Sequence, residues 1–564
     1  MRLRRHVPLL QKSLKHNVSL RPLLLSQWIR HRRPYTQTSA AHPEEIAVLG
    51  GGIAGLASAH FATKEFPKSR ITLYESSKDL GGWIKSKKVK VPGGEVIFEY
   101  GPRTLRPGAG AAATIQLIHD LGLNNQVLST PKNTPAARNR YLYYPDRINR
   151  LPAALSDLNF PYAFKLFQAG LLSGVWSIVS EYWRPRRSSR ITDESVGDFV
   201  SRRWDKRIAD NLLSAGFHGI YAGDIYQLSA KTLLAPAWYL ETKYGSISRG
   251  IAAISQDDAT AGHMPWHPYV HEQYNAITED MDVDEEFMRI LSKQSTFYFK
   301  EGMQHLPLTL ANKLRSNPQV EIVTGTSVNE TRMEDGGSKI EIITGHPSSP
   351  TPRTFDFVIS SLPTKSLTPT VTTMVVNLWF SNPHLLSSTP GFGYLIPRSI
   401  PFDQNPERAL GVIFDHDATL GQDSIPGTKL TVMLGGHWWD GWTEFPDEGE
   451  GAAYARAILQ RHLGITAEPD ECHVTLNRNC IAQYTVGYEE RGKRLDEQLR
   501  KDYNGRVRVV GSQYNGVGVN DCIRGAWEVV RGMRGGGWKA KRTGLERFTD
   551  ERDWVLVPPT GKYK

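Results

Sequence analysis

Gly50-Gly51-Gly52-Ile53-Ala54-Gly55 is the stretch on which the fold turns. Before it, Glu45-Ile46-Ala47-Val48-Leu49 is a short apolar run that ends in glycine, the pattern of a buried parallel strand. After it, Leu56-Ala57-Ser58-Ala59-His60-Phe61-Ala62 predicts a helix of small residues. In such a strand–turn–helix, Gly50 permits the tight turn, Gly52 lets the backbone approach a pyrophosphate, and Gly55 lets the helix pack close to the strand. The unpaired N–H groups of the helix start then face the phosphates. A second strand, Arg70-Ile71-Thr72-Leu73-Tyr74, ends at Glu75, whose carboxylate is placed to accept hydrogen bonds from ribose hydroxyls. The order of these parts predicts a dinucleotide site; a glycine triplet alone does not.

The dinucleotide is expected to be FAD rather than NAD. Leu80-Gly81-Gly82-Trp83 follows the ribose-binding acid directly, and a second glycine pair lets the chain pass close to the cofactor. A matching half lies near the other end of the chain. There Arg506-Val507-Arg508-Val509-Val510-Gly511 reads as a strand ending in glycine, and Gly516-Val517-Gly518-Val519-Asn520-Asp521 leads into another helix. The nucleotide domain is thus expected to be built from both chain ends. Gln319–Gly325, Lys339–Ile343 and Phe355–Ser360 are expected to return to its sheet system.

The chain has 564 residues, 63.2 kDa, 40% hydrophobic and 22% charged residues, the balance of a globular protein. Its net charge of +10 is local. Residues 1–43 hold nine of the 68 Lys and Arg and no acid, leaving 59 bases against 58 acids. That Arg-, Leu- and Ser-rich leader reads as a mitochondrial transit peptide, with a basic tail lacking any address as the alternative. With the leader set aside, nucleic-acid binding has little support. Cys472, Cys480 and Cys522 have the spacing of neither a disulfide framework nor a metal site. The acidic run 279–286 reads as a solvated loop.

Residues 162–182 place Phe167, Leu171, Leu172, Val175, Trp176 and Ile178 among small and polar residues, beside the basic run Arg184–Arg190. Its apolar residues are interrupted, and no segment reaches the roughly 18–20 apolar residues of a spanning helix. It reads either as a monotopic anchor for an anionic lipid surface or as part of an ordinary helical domain. Between 371 and 500, the runs Thr373–Phe380, Leu410–Phe414 and Leu430–Leu434 predict strands of a substrate domain over the flavin.

Four further blocks carry a family resemblance: Glu99–Pro107, Tyr221-Ala222-Gly223-Asp224, Gly391–Arg398 with Leu410–Asp415, and Tyr514–Ile523. Phe299–Met303 with Leu306-Pro307 adds to them. Over residues 44–533 the chain resembles the mitochondrial protoporphyrinogen oxidases of the flavin monoamine oxidase-like superfamily. It departs from them at Ala482 and Tyr488, where the family often has proline and histidine.

The resemblance implies an α/β and α+β architecture: a Rossmann-like FAD domain, a mixed-sheet substrate domain and a helical membrane-binding domain. The expected divisions are 1–43 (transit peptide), 44–107, 301–370 and 501–533 (FAD domain), 108–300 (mainly helical), 371–500 (substrate domain) and 534–564 (tail). It implies removal of six electrons from protoporphyrinogen IX in haem biosynthesis, by hydride transfer from a meso carbon to flavin N5, with oxygen reduced to hydrogen peroxide. The chemistry is flavin-centred, with no catalytic side chain and no metal. The expected FAD contacts are Gly50, Gly51, Gly52, Ile53, Ala54, Gly55, Glu75, Ser76, Gly81, Gly82, Trp83, Gly101, Pro102, Val328, Gly511, Gly516, Val517, Gly518 and Val519. Arg103 is expected to clamp a substrate propionate, or alternatively to bridge two domains; Phe392 is expected to pack on a pyrrole ring, or alternatively in the core. The implied setting is the mitochondrial inner membrane surface facing the intermembrane space, with a homodimer and contact with ferrochelatase as precedent. An amine oxidase or polyene desaturase of the same superfamily, and a non-catalytic flavoprotein scaffold, are the competing readings.

Overall fold

The computed structural model describes residues 42–153, 157, 160–171, 174, 176–256, 260, 262–346 and 349–558. The expected transit peptide, Leu172 and Val175 of the apolar stretch, and the last residues of the tail fall outside these.

Five parallel strands form the nucleotide sheet, in the order Val320–Val323, Arg70–Tyr74, Glu45–Leu49, Phe357–Ser360, Val507–Val509. Both chain ends therefore meet in one sheet. Ile46, Val48, Ile71, Leu73, Phe357 and Ile359 are buried against helices Ile53–Glu65 and Val519–Arg531 on one face, while Ala47, Leu49, Val358 and Val507 face a second core. Burial on both faces explains the near-continuous apolar runs.

Lys339–Ile343 does not join this sheet. It lies in Ile340–His346, the middle of a separate antiparallel meander with Val328–Met333 and Ser349–Phe355. The reason is visible in its alternation: Ile340 and Ile342 are buried while Glu341 and Ile343 are not, the pattern of a strand covered on one face.

The second layer is a seven-stranded mixed sheet. Its order is Glu471–Ala482, Thr370–Phe380, Thr428–Gly435, Ala409–Phe414, Gly393–Leu395, Arg140–Tyr143, Ile148–Leu151. Every neighbouring pair is antiparallel except Gly393–Leu395 with Arg140–Tyr143. Residues 140–151, expected in the helical region, are therefore part of this sheet; four-residue strands give too short an alternation to stand out. Val127–Pro131 and Gln294–Phe299, also within that region, pair with each other.

The described residues of 160–292 are otherwise mainly helical, apart from the short strand Met264–Trp266 and connecting loops. The apolar stretch is not one helix but Phe160–Gln168 and Trp176–Ser180, and among the described residues no helix is long and apolar enough to cross a membrane. A buried charge cluster underlies these helices. Glu181 accepts from Arg203 and from the N–H groups of Ile247 and Ser248, and Arg187 and Arg202 both reach Glu241. Two of the bases in the Arg184–Arg190 run are thus internal, Arg187 on Glu241 and Arg184 on the Arg202 carbonyl. In the acidic run Asp280 is paired with Arg531 and Arg534, and Asp284 caps helix Glu285–Ser292, so part of it is structural. The tail also docks: Val555–Val557 pairs with Met264–Trp266.

Candidate functional site

Between the nucleotide sheet and the seven-stranded sheet lies a cavity of about 680 Å³. One wall is the phosphate end of the nucleotide fold. Gly50 turns at φ +98 with its N–H on Tyr74, and the Gly51 N–H donates to Glu75 Oε2 at 2.6 Å. Glu75 Oε1 accepts from the Ser77 N–H at 2.8 Å. Oε1 also accepts from Ser76 Oγ at 3.2 Å, while Oε2 keeps a lone pair for a further donor. Gly81 donates to the Gly51 carbonyl at 2.9 Å, so the second glycine pair is laid against the first. A Cβ on Gly55 would stand 1.8 Å from the Gly50 carbonyl oxygen, and one on Gly101 2.2 Å from that of Trp83. These glycines are required by close approach.

The residues present fit a dinucleotide. Helices Ile53–Glu65 and Val519–Arg531 begin at Gly52 and Gly518, and neither start has a side-chain cap. Their first-turn N–H groups are the donors an anion would satisfy. A Cβ on Gly52 would meet nothing nearer than Gly82 Cα at 3.9 Å, so room is left beside that turn. Gly50, Gly52, Ile53, Ala54, Glu75, Ser76, Gly81, Gly82, Trp83, Gly101, Pro102, Gly511, Val517 and Val519 line the cavity. Gly51, Gly55, Gly516 and Gly518 lie behind that lining and shape the turns. Val328 opens the antiparallel meander, packed beside the core of Tyr74 and Ile340, and is not part of the lining.

The opposite wall is apolar. Val375, Leu410, Ile413, Met433 and Phe392 line it, with Thr373, Asn477, Asn479 and Cys480. Register explains the choice. Gly411 pairs with Met433 and Met433 with Val375, so these strands present one face to the cavity. Arg103 also lines the cavity, but its Nη1 donates to Asp415 Oδ1 at 2.8 Å, joining the two layers. Asp415 takes a second hydrogen bond from Thr431 Oγ1.

Some lining residues are ones that sequence reasoning passed over. Helix Ser214–Tyr221 brings His218, Gly219 and Ile220 to the cavity and ends at Ala222 with φ +50. A non-glycine residue in that region had no warning in the sequence. His218 is fully engaged, Nδ1 on the Ile396 carbonyl at 2.7 Å and Nε2 on His437 at 2.9 Å, and burial lowers its pKa to about 4. Burial likewise pushes the Cys480 and Cys522 thiols up, Cys522 to about 12. Beneath Arg103, the Glu99 carboxyl is raised to about 7 by burial, against hydrogen bonds from Ser86 and the Met303 N–H. A second cleft, about 900 Å³, opens beside Phe61 and Trp527; Arg534 there is paired with Glu65 and Asp280, and no fingerprint glycine reaches it.

Residues 53–533 match the model of the family described as flavin containing amine oxidoreductase. A Schizosaccharomyces pombe protein named protoporphyrinogen oxidase is 33% identical, over 86% of this chain and 98% of its own. The Homo sapiens protein of the same name is 30% identical over 85% and 96%. A solved structure from Exiguobacterium sp. 255-15, named for the same activity, has the same fold at TM-score 0.63, 20% identity, 87% of this chain and 98% of that one.

Proposed function

Since the chain belongs to the flavin-containing amine oxidoreductases and, within them, to the protoporphyrinogen oxidases, we propose that it oxidises protoporphyrinogen IX to protoporphyrin IX with oxygen as terminal acceptor. Six electrons leave the substrate, and three molecules of oxygen become hydrogen peroxide. The observation that carries this reading is a cavity with two uncapped helix starts on one wall and an apolar sheet face on the other. FAD, when bound, supplies the two-electron acceptor. The glycines at 50–55, 81–82 and 511–518, with Glu75, Ser76, Trp83, Gly101 and Pro102, would hold it.

The side chains orient the substrate and exclude water. Val375, Ile413, Met433 and Phe392 offer a surface for a large flat ring. Arg103 is given one substrate propionate in addition to Asp415, and Phe392 a pyrrole ring. His218 is neutral, with both ring nitrogens occupied, and acts as a support rather than a base. Val328, outside the cavity lining, is assigned a further contact with FAD.

The test is direct. Purified, FAD-loaded protein mixed anaerobically with protoporphyrinogen IX should lose its flavin colour and recover it in air with formation of fluorescent porphyrin. Amines and polyenes should leave the colour unchanged. A flavin-loaded sample that the porphyrinogen does not bleach overturns the reading.

The proposal extends to place. Phe167, Trp176 and Trp183 are 67%, 87% and 68% exposed, and Lys165, Arg186 and Arg190 stand exposed near them in sequence. An apolar surface with neighbouring bases suits the headgroup region of an anionic membrane. We assign it to the mitochondrial inner membrane on its intermembrane-space side, with residues 1–43 as the import signal. A homodimer and contact with ferrochelatase belong to the same proposal, resting on family resemblance; sedimentation and pull-down measurements test them.

A further inference from the structure

The apolar wall of the cavity has one polar corner, where Thr370, Thr373, Asn477, Asn479 and Cys480 meet. Two neighbouring strands of the seven-stranded sheet build it. Thr373 pairs with Asn477, and both lie on the face that Val375, two residues beyond Thr373, turns to the cavity.

Most polar atoms of this corner are matched within it. Thr373 Oγ1 lies 3.3 Å from Cys480 Sγ, Asn479 Oδ1 accepts from Thr370 Oγ1 at 3.4 Å, and the Asn479 N–H donates to Thr372 Oγ1 at 3.1 Å. Asn477 differs. Its Nδ2 donates to the Tyr100 carbonyl at 2.9 Å, and a carbonyl partner fixes which end of the amide is which. Among the described residues its Oδ1 receives no hydrogen bond, and that oxygen keeps accessible surface although the residue is half-buried. Tyr100 runs on into Gly101 and Pro102, which line the cavity on the cofactor side. The free acceptor therefore stands where the apolar wall meets the cofactor wall.

We infer that Asn477 Oδ1 accepts a pyrrole N–H of the bound tetrapyrrole and so distinguishes substrate from product. The ligand class rests on the function proposed above. A porphyrinogen has saturated meso carbons, so its ring puckers and its pyrrole N–H groups turn out of the mean plane. Val375, Ile413, Met433 and Phe392 offer such a donor nothing, and a buried donor left unpaired is unfavourable. Protoporphyrin is flat and conjugated, and its remaining N–H groups point into the ring centre, out of reach of an outside acceptor. The contact thus holds the reduced ring and is lost once the ring is oxidised.

The experiment compares two affinities in FAD-loaded full-length protein. Anaerobic flavin bleaching at varied porphyrinogen gives one, and quenching of protoporphyrin fluorescence gives the other. Asn477→Leu should weaken porphyrinogen about tenfold and leave protoporphyrin within about twofold, the scale of one unpaired donor. Asn477→Asp, which keeps an acceptor, should bind porphyrinogen more tightly than Asn477→Leu. If Asn477→Leu fails to load FAD, Asn477→Ala decides by the same ratio. Affinities that fall together, or that both stay unchanged, overturn the site and leave Asn477 as a tie to Tyr100; so does Asn477→Asp that is no better than Asn477→Leu. Wild type whose flavin porphyrinogen does not bleach overturns the proposed function, and this site with it.

Discussion

Arg103 Nη1 and Asp415 Oδ1 are 2.8 Å apart across the junction of the two sheets, with side chains only 7% and 5% exposed. Removing one partner of a buried ion pair strands the other charge, which costs about 3–5 kcal/mol. Arg103→Ala and Asp415→Asn should each destabilise the protein by roughly that amount in urea unfolding, and the double variant by clearly less than the sum. Strict additivity would mean the pair contributes nothing as a pair. Arg103→Ala should also raise KM for porphyrinogen more than it weakens FAD; equal effects would leave Arg103 as a bridge only.

Gly52 and Gly55 separate binding from folding. A Cβ on Gly55 meets the Gly50 carbonyl oxygen at 1.8 Å, whereas one on Gly52 meets nothing closer than 3.9 Å. Gly55→Ala should destabilise even FAD-free protein, by about 3 kcal/mol or more. Gly52→Ala should leave FAD-free stability within about 1 kcal/mol, yet weaken FAD at least tenfold. Thermal melts with and without FAD check both; a Gly52→Ala protein that binds FAD normally would move the pyrophosphate elsewhere.

Glu99 predicts a pH effect with a definite sign. Burial raises its carboxyl from 4.5 to about 7, with Arg103, Lys429, Ser86 and the Met303 N–H pulling the other way. Between those values the folded chain holds a proton that the unfolded chain has lost, so rising pH lowers the unfolding free energy. Glu99→Gln lacks that titration. From pH 4.5 to 7 wild type should lose about 1–3 kcal/mol relative to Glu99→Gln in urea melts. Parallel curves would show that folding leaves the Glu99 carboxyl at its ordinary value.

Trp176 and Trp183 test the lipid surface. Burying a large apolar side chain is worth about 1.5–3 kcal/mol. Trp176→Ser with Trp183→Ser should therefore reduce co-sedimentation with anionic vesicles by tenfold or more, with FAD content intact. Wild-type binding should weaken as salt rises, because Arg186 and Arg190 are exposed and screened. Binding indifferent to both changes would place the membrane contact on another surface.

The nucleotide fold was legible in the sequence because its signals are local. A glycine permitted at φ +98, an apolar run of five and an acid at a strand end each act within a few residues, and order alone makes them specific. The strand at 340–343 is legible in the same way, but its sheet is not, since a strand's pattern shows how many faces are covered and not by which neighbours. Only the tertiary structure decided the rest. Strand pairing put residues 140–151 beside Gly393–Leu395, burial gave Arg103 a carboxylate 312 residues away, and a helix end at Ala222 carried His218 to the cavity. Those contacts are fixed by packing between distant segments, and a side chain's partner across such a distance leaves no trace in the residues next to it.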